Sequence, residues 1–187
     1  HLTPVKGETL AGYAERLAPL INTSQPFIII GTSLGGMIAI ELSKIINPEK
    51  LVLIATVKSR AEMPLLINSM RYLKLHRLLS GNFYKKFNTL MVKRLHNRRD
   101  SEAARLIRDM TIDAIPFFIE WAINAVINWQ PPALTHSSVM HIHGTADSLF
   151  PYKKIQGAVP VQGGSHVMNI TKSKEVNRIL LQAISGY

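Results

Sequence analysis

The sequence predicts an α/β fold, with a mainly parallel sheet flanked by helices and a helical segment inserted between strands. Three observations predict it. Short apolar runs of strand length alternate with segments of helical period at both ends of the chain. Between them, residues 58–130 contain no convincing buried strand. The pattern Gly-x-Ser-x-Gly, formed by Gly31, Ser33 and Gly35, joins one apolar run to the helix that follows.

The first part of the chain predicts helix, strand, helix and strand in that order. Apolar residues recur at helical spacing over 7–21, and a fully buried strand is expected at 27–30. A helix over 34–46 follows, which Asn47-Pro48 ends, and then a second short strand at 51–55. The expected apolar face of the second helix is Met37, Ile38, Leu42, Ile45 and Ile46.

The strand pattern stops at Thr56 and resumes at 139. Strands are expected at 139–143 and at about 158–162, and an amphipathic helix over 171–185 closes the chain. Its inward residues are expected to be Val176, Ile179, Leu180 and Ile184. We therefore predict a sheet domain made of 1–57 and 131–187, with 58–130 as a helical cap.

The composition is that of a globular protein: 187 residues, 47% hydrophobic and 18% charged. Without cysteine, there can be no disulfide, thiolate nucleophile or Cys-ligated metal. No apolar run approaches the roughly 20 residues that span a bilayer, and the first residues lack the layout of a secretory signal. We expect a cytoplasmic protein without a membrane span.

The net charge of +10 is concentrated in the predicted cap. Residues 58–130 carry 13 Lys/Arg against 6 Asp/Glu. A solvated basic helical surface is the favoured interpretation, and an acidic partner or anionic substrate comes second. Nucleic acid is not an expected partner, because we find no docking motif and no stacking aromatics among the basic residues.

The Gly31 to Gly35 turn has the features that a nucleophilic serine needs. A sharp turn from strand to helix exposes the Ser33 hydroxyl, and it places the Leu34 N–H at a helix N-terminus, where it can stabilise an oxyanion. We expect glycine at both 31 and 35 because side chains there would collide across the turn.

Two further candidates follow other strands. Asp147 comes after the strand at 139–143, and His166 comes after the last strand. The carboxyl ends of parallel strands share one edge of the sheet, so Ser33, Asp147 and His166 are expected to meet there as nucleophile, acid and base.

In GTSLGG around Ser33, HGTADSLFP around Asp147 and GGSH ending at His166, the chain resembles α/β-hydrolases of the capped esterase type. The resemblance covers most of 1–55 and 131–187, while the cap resembles nothing we can name. It implies hydrolysis of a carboxylic ester or related acyl bond in a small-molecule substrate. No metal or organic cofactor is implied.

Alternative roles for single residues remain open. Asp147 could be a turn residue, and Glu62, soon after the second strand, is a weaker candidate for the acid. His141-x-His143 with Asp147 permits a metal site, which we do not favour because no further histidine follows in a binding position. His76, His96 and His136 are expected to be surface or loop residues.

The family's second oxyanion donor comes from a loop after an early strand, and no such loop is found in this sequence. We expect the first strands and this donor to lie upstream of His1, which would leave the strand at 27–30 as an exposed apolar edge. Loss of one donor typically lowers the rate by about 10²–10³-fold, so this chain alone is expected to be a poor catalyst.

Two other functions are compatible with the same residues. An acyltransferase or thioesterase acting on carrier-bound acyl groups would use the same three side chains, and a basic cap would suit an acidic carrier protein. A catalytically inactive, hydrolase-like binding protein is the third interpretation, because a fold does not fix a function.

Overall fold

The computed structural model describes residues 2–72, 116–136 and 138–184. Four strands form one parallel sheet in the order β1-β2-β3-β4. The strands are β1 (Ile28–Thr32), β2 (Lys50–Ile54), β3 (Val139–Gly144) and β4 (Val159–Val161). The predicted α/β class and the parallel sheet are confirmed. The centre of the predicted cap, 73–115, lies outside the described residues, and with it His76 and His96.

Six α-helices are described: α1 (Leu10–Leu17), α2 (Leu34–Leu42), α3 (Leu65–Tyr72), α4 (Pro116–Asn128), α5 (Met168–Thr171) and α6 (Ser173–Ile184). Short 3₁₀ turns follow α1 at Ala18–Leu20 and precede β4 at Tyr152–Lys154. None of the described helices is long and apolar enough to cross a membrane.

The register of the sheet brings the carboxyl ends of its strands to one edge, with β3 and β4 ending two residues beyond β1 and β2. Thr32 at the end of β1 lies opposite Ile54 at the end of β2, and Ile54 lies opposite Ile142 of β3. Gly144, the last residue of β3, lies opposite Val161, the last of β4. The loops that leave the four strands therefore begin along one edge, as the sequence predicts.

Helices cover both faces of the sheet. Leu51 and Leu53 of β2 pack in the cluster that contains residues of α1, α2 and α4, whereas Val52 and Ile54 pack against α5 and α6. This alternation follows from the two-residue period of a strand, and it explains why β2 is apolar at every position after Lys50.

Two predicted helices end or break earlier than expected. The helix predicted over 34–46 ends at Leu42, so Ile45 lies beyond it and is exposed, which makes its assignment to the apolar face wrong. The closing helix is interrupted at Lys172, where φ is −130°, and Ile184 near its end is exposed. Val176 and Ile179 are buried as predicted.

Of the two glycines expected to be crowded in the Ser33 turn, only Gly31 is. A Cβ on Gly31 would collide with the carbonyl of Gly35 and come within 2.7 Å of Gly36 Cα, so that prediction is confirmed. A Cβ on Gly35 would meet nothing within 4 Å, so the predicted collision there is wrong. The crowded position is Gly36, where a Cβ would lie 2.6 Å from Thr56 Cγ2.

We predict opposite effects for two Gly→Ala substitutions in this turn. Gly31→Ala should lower the free energy of unfolding by about 2 kcal/mol or more, because backbone atoms fill the space that the methyl group needs. Gly35→Ala is the matched control. It lies inside α2 with open space around it, and should raise the free energy of unfolding by about 0.5–1 kcal/mol. Urea unfolding of the two variants measures both, and equal losses would contradict the assignment.

Candidate active site

Ser33 occupies a strained backbone conformation between β1 and α2. Its φ is 52° and its ψ is −119°, a combination that residues other than glycine rarely adopt. The Ser33 N–H donates to the Ile54 carbonyl at 2.9 Å, and the Ser33 carbonyl accepts the Thr56 hydroxyl at 2.7 Å. These bonds to β2 and to the loop after it hold the turn.

Leu34 is the first residue of α2, so its N–H has no acceptor within the helix. It lies directly after Ser33 at the positive end of the helix dipole. This is the position that the sequence predicts for one oxyanion donor. The second donor, expected upstream, stays a prediction.

The structure brings Ser33, His166 and Asp147 into one hydrogen-bonded chain. Ser33 Oγ lies 2.8 Å from His166 Nε2, and His166 Nδ1 lies 2.8 Å from Asp147 Oδ2. An ionised carboxylate can only accept, so Nδ1 carries the imidazole proton and Nε2 is free to accept the serine proton. His166 and Asp147 are buried, whereas Ser33 is partly exposed.

Asp147 is held by the loop that follows β3. Its Oδ1 accepts the N–H groups of Leu149 at 2.8 Å and of Phe150 at 2.9 Å. A side chain that binds the backbone two and three residues further on forms a compact turn, for which aspartate is well suited. Since Oδ1 is occupied by the loop, Oδ2 is the oxygen presented to His166.

Opposing effects act on the carboxyl group of Asp147. Burial alone would raise its pKa, but hydrogen bonds from His143 and His166, the charge of His166 and the Phe150 amide outweigh burial. The pKa of Asp147 is therefore held well below its usual range. The carboxylate stays ionised at neutral pH although only 4% of the residue is exposed.

His166 is presented by a tight turn after β4. Gly163 has φ of 64°, and the Gly164 carbonyl accepts the Ala146 N–H at 2.9 Å. This bond ties the His166 loop to the Asp147 loop. The ring of Phe150 lies edge-on to the imidazole, with ring centroids 5.3 Å apart, and closes one side of the site.

An apolar cavity of about 160 Å³ opens beside Ser33. Its lining is Ser33, Leu34, Met37, Ile67, Ala122, Ile123, Val126, Ile127, Leu149 and Phe150. Apart from Ser33, every one of these side chains is a hydrocarbon, a thioether or an aromatic ring. The cavity suits an uncharged hydrocarbon group.

Side-chain bonds hold α4 over this cavity. Trp129, just after α4, donates its indole N–H to Oε1 of the buried Glu41 of α2 at 2.7 Å. Trp121 of α4 donates to the Glu8 carbonyl at 2.8 Å, and Arg60 donates to the carbonyls of Ile127 and Trp129. The middle of this helix is therefore tied to the segment before α1, and its C-terminal end to α2 and to Arg60.

Glu62, the weaker candidate for the acid, lies elsewhere. Its carboxylate accepts the N–H of Lys58 at 2.7 Å and of Gln156 at 3.2 Å, which links the loop after β2 to the segment before β4. The partner of His166 Nδ1 is Asp147. Glu62 thus has a structural contact to explain its burial.

His141 and His143 lie on the same face of β3, with ring centroids 5.4 Å apart. His143 contacts Asp147, whereas neither ring nitrogen of His141 has a hydrogen bond of normal geometry to any residue that the structure describes. Within 2–72, 116–136 and 138–184, no group of three or more possible ligands could hold a metal ion. His136 is a half-buried loop residue that contacts the Pro48 carbonyl.

Sequence reasoning missed two contributors to the site. Phe150 supplies an N–H to Asp147 and a ring to His166, and His143 adds a second imidazole beside Asp147. From the sequence, the spacing of His143 and Asp147 suggests only a metal site. A sequence signal for the contact does exist, because the side chain of a residue near the end of a strand can contact an aspartate in the loop that follows.

Comparison with solved structures identifies the fold. A thermophilic esterase from Thermogutta terrifontis superposes with a TM-score of 0.72 at 18% identity, covering 100% of this chain and 75% of that one. A hydrolase from Pseudomonas aeruginosa PA01 superposes with a TM-score of 0.73 at 18% identity, covering 98% of this chain and 74% of that one. MGS-M2, an alpha/beta hydrolase enzyme from a deep-sea metagenome library, has a TM-score of 0.64 at 14% identity. The superposition covers 95% of this chain and 72% of that one.

These likenesses show that the chain has the α/β-hydrolase fold, so the resemblance is confirmed at the level of the fold. No family model matches the sequence. No curated protein matches it either.

We predict that Asp147 makes stability depend on pH in the acid range. Because the pKa of Asp147 is lower in the folded chain than in the unfolded one, its contribution is present above about pH 4 and is lost as pH falls below that. Relative to Asp147→Asn, the wild-type protein should lose of the order of 2 kcal/mol of unfolding free energy between pH 6 and pH 2.

Urea unfolding at several pH values measures this difference. Glu15→Gln, on the exposed side of α1, is the control and should follow the wild-type pH dependence. A constant difference between wild type and Asp147→Asn across the acid range would contradict the prediction.

Proposed function

We propose that this protein is a serine hydrolase that cleaves carboxylic esters, with Ser33 as nucleophile, His166 as general base and acid, and Asp147 as the group that orients the imidazole. The observation that carries the proposal is the hydrogen-bonded chain from Ser33 Oγ through His166 to Asp147 Oδ2, at the mouth of an apolar cavity. The esterase and hydrolase structures that share the fold support the same class of reaction.

In the first half of the reaction, Ser33 Oγ attacks the acyl carbon while its proton moves to His166 Nε2. The carbonyl oxygen becomes an oxyanion, which the Leu34 N–H stabilises together with the second donor. Collapse of this intermediate breaks the bond to the leaving alcohol, which takes the proton from Nε2. The acyl group is then an ester of Ser33.

In the second half, water replaces the alcohol. His166 Nε2 takes a proton from the water, whose oxygen attacks the acyl carbon and forms a second oxyanion. Collapse breaks the bond to Ser33 Oγ, which takes the proton back from Nε2. Asp147 stays ionised throughout and stabilises the imidazolium that forms in each half.

The cavity beside Ser33 indicates the size of the group that is bound. A cavity of about 150 Å³ lined by aliphatic and aromatic side chains holds one benzene molecule, so about 160 Å³ suits a hydrocarbon group of about six carbon atoms. We therefore propose esters of short, uncharged acyl groups as substrates. Residues 58–130 are proposed as the cap, since α3 and α4 supply Ile67, Ile123 and Val126 to the cavity.

We predict that Ser33→Ala lowers kcat on these esters by about 10⁴-fold or more, because no other group at this position can form the acyl ester. Mass spectrometry after treatment with a fluorophosphonate should show one adduct, on Ser33. Folded wild-type protein that neither labels nor cleaves any ester would favour the hydrolase-like binding protein. Activity that survives Ser33→Ala would refute the proposed nucleophile.

We predict that Val126→Phe narrows the acyl preference. On a series of p-nitrophenyl esters, the larger ring should lower kcat/KM for hexanoate about 10-fold or more and change acetate by less than about 3-fold. Asn128→Phe is the control, because it adds the same bulk to α4 at an exposed residue outside this cavity. Equal losses of kcat/KM on acetate and hexanoate would show that Val126 does not set the preferred length of the acyl chain.

A further inference from the structure

His143 is the buried group closest to the proposed triad for which the mechanism has no use. It lies on β3, four residues before Asp147, and is fully buried. Its Nε2 lies 2.8 Å from the Phe150 carbonyl and 3.3 Å from Asp147 Oδ2. The same Asp147 oxygen is the one that contacts His166.

The Phe150 carbonyl fixes the proton of this ring. A carbonyl oxygen can only accept, so His143 must carry a hydrogen on Nε2 and donate it. The hydrogen lies between two oxygens, with the shorter distance to Phe150 and the longer one to Asp147. A positive N–H edge therefore faces the carboxylate oxygen that also contacts His166.

This contact completes the surroundings of Asp147. A carboxylate has about four acceptor positions. Leu149 N, Phe150 N and His166 Nδ1 donate to three of them, and the His143 Nε2–H, which it shares with the Phe150 carbonyl, faces the fourth. His143 also fixes the carbonyl of Phe150, whose own N–H binds Oδ1. The ring thus restrains both the charge and the loop that carries it.

The rest of the His143 ring argues that it is more than a packing residue. Its Nδ1 is buried with no hydrogen-bond partner in the described part of the chain. An apolar side chain would fill the same space without leaving a polar atom unpaired. What offsets that cost is the donor on the other nitrogen.

Two other rings face His143, those of His141 and Tyr152. His141 lies edge-on, and burial, the Lys58 charge and His143 itself lower the pKa of His141 to about 3, while the Thr56 backbone acts the other way. His141 is therefore neutral at neutral pH. The ring of Tyr152 lies 6.3 Å away, measured between centroids.

We propose that His143 is a positioning residue for the reaction: its Nε2–H holds the Asp147 carboxylate and the Phe150 loop so that Oδ2 stays aligned with His166. The inference rests on the proposed function, because it assigns His143 a role in orienting the proposed acid. It concerns no contact with substrate. His143 acts through Asp147.

Two amide substitutions test the role of the donor. Glutamine places its side-chain nitrogen as many bonds from the backbone as His Nε2, whereas the shorter asparagine reaches only as far as Nδ1. His143→Asn should lower kcat on p-nitrophenyl acetate about 10- to 100-fold, with KM changed less than about 3-fold. His143→Gln should recover most of that loss.

The pH profile separates positioning from packing. Without this donor, the Asp147 carboxylate attracts the Nδ1 proton of His166 more strongly. The acid limb of the kcat/KM profile should therefore move to higher pH by about half a unit or more in His143→Asn. It should stay at the wild-type position in His143→Gln. His141→Gln is the matched control from the same face of β3, and should keep the wild-type profile and kcat within about 2-fold.

Wild-type values in His143→Asn, or equal losses in His143→Asn and His143→Gln, would overturn the inference. If His143→Asn does not fold, His143→Gln decides alone: wild-type kcat and acid limb support the donor, and a 10-fold loss in folded protein refutes it. Loss of the proposed function itself would look different, because ester hydrolysis would then survive Ser33→Ala.

Discussion

The register of the parallel sheet, which gathers the carboxyl ends of its strands at one edge, is the constraint on which the site depends. Ser33 leaves β1, Asp147 follows β3 and His166 follows β4, so the three side chains come from strands that span the whole described sheet. Each must arrive within hydrogen-bond distance of the next. A slip of one residue in any pairing would reverse the faces of a strand and shift its loop along the edge.

Local contacts convert this alignment into distances of 2.8 Å. The Ile54 carbonyl at the end of β2 and the Thr56 hydroxyl just after it fix the Ser33 backbone. β2 lies between the strands that carry the proposed nucleophile and the proposed acid. Asp147 binds its own loop, and Gly164 binds Ala146 across the β3 and β4 loops. Most of these bonds involve backbone atoms, which every residue type supplies. This helps explain why two chains can share the fold at 18% identity.

The sequence was sufficient to predict the sheet class and to single out three side chains that the structure joins by hydrogen bonds. Ser33 and His166 were predictable because glycine-rich turns flank them, and Asp147 because it is the only aspartate outside 58–130. Other features could not be predicted. The break at Lys172 has no proline or glycine beside it, and the difference between Gly31 and Gly35 depends on which turn of backbone lies opposite. The Asp147 contact of His143 depends on the path of the loop from Gly144 to Phe150.

The wide separation of the three residues along the chain has a practical consequence. Ser33 and His166 are 133 positions apart, and their contact exists only when β1 and β4 occupy their places on either side of β2 and β3. Reactivity of the proposed nucleophile Ser33 would thus report the assembly of the whole described sheet. An active-site label could count correctly folded molecules in a mixed preparation, a measurement that bulk spectroscopy gives only as an average.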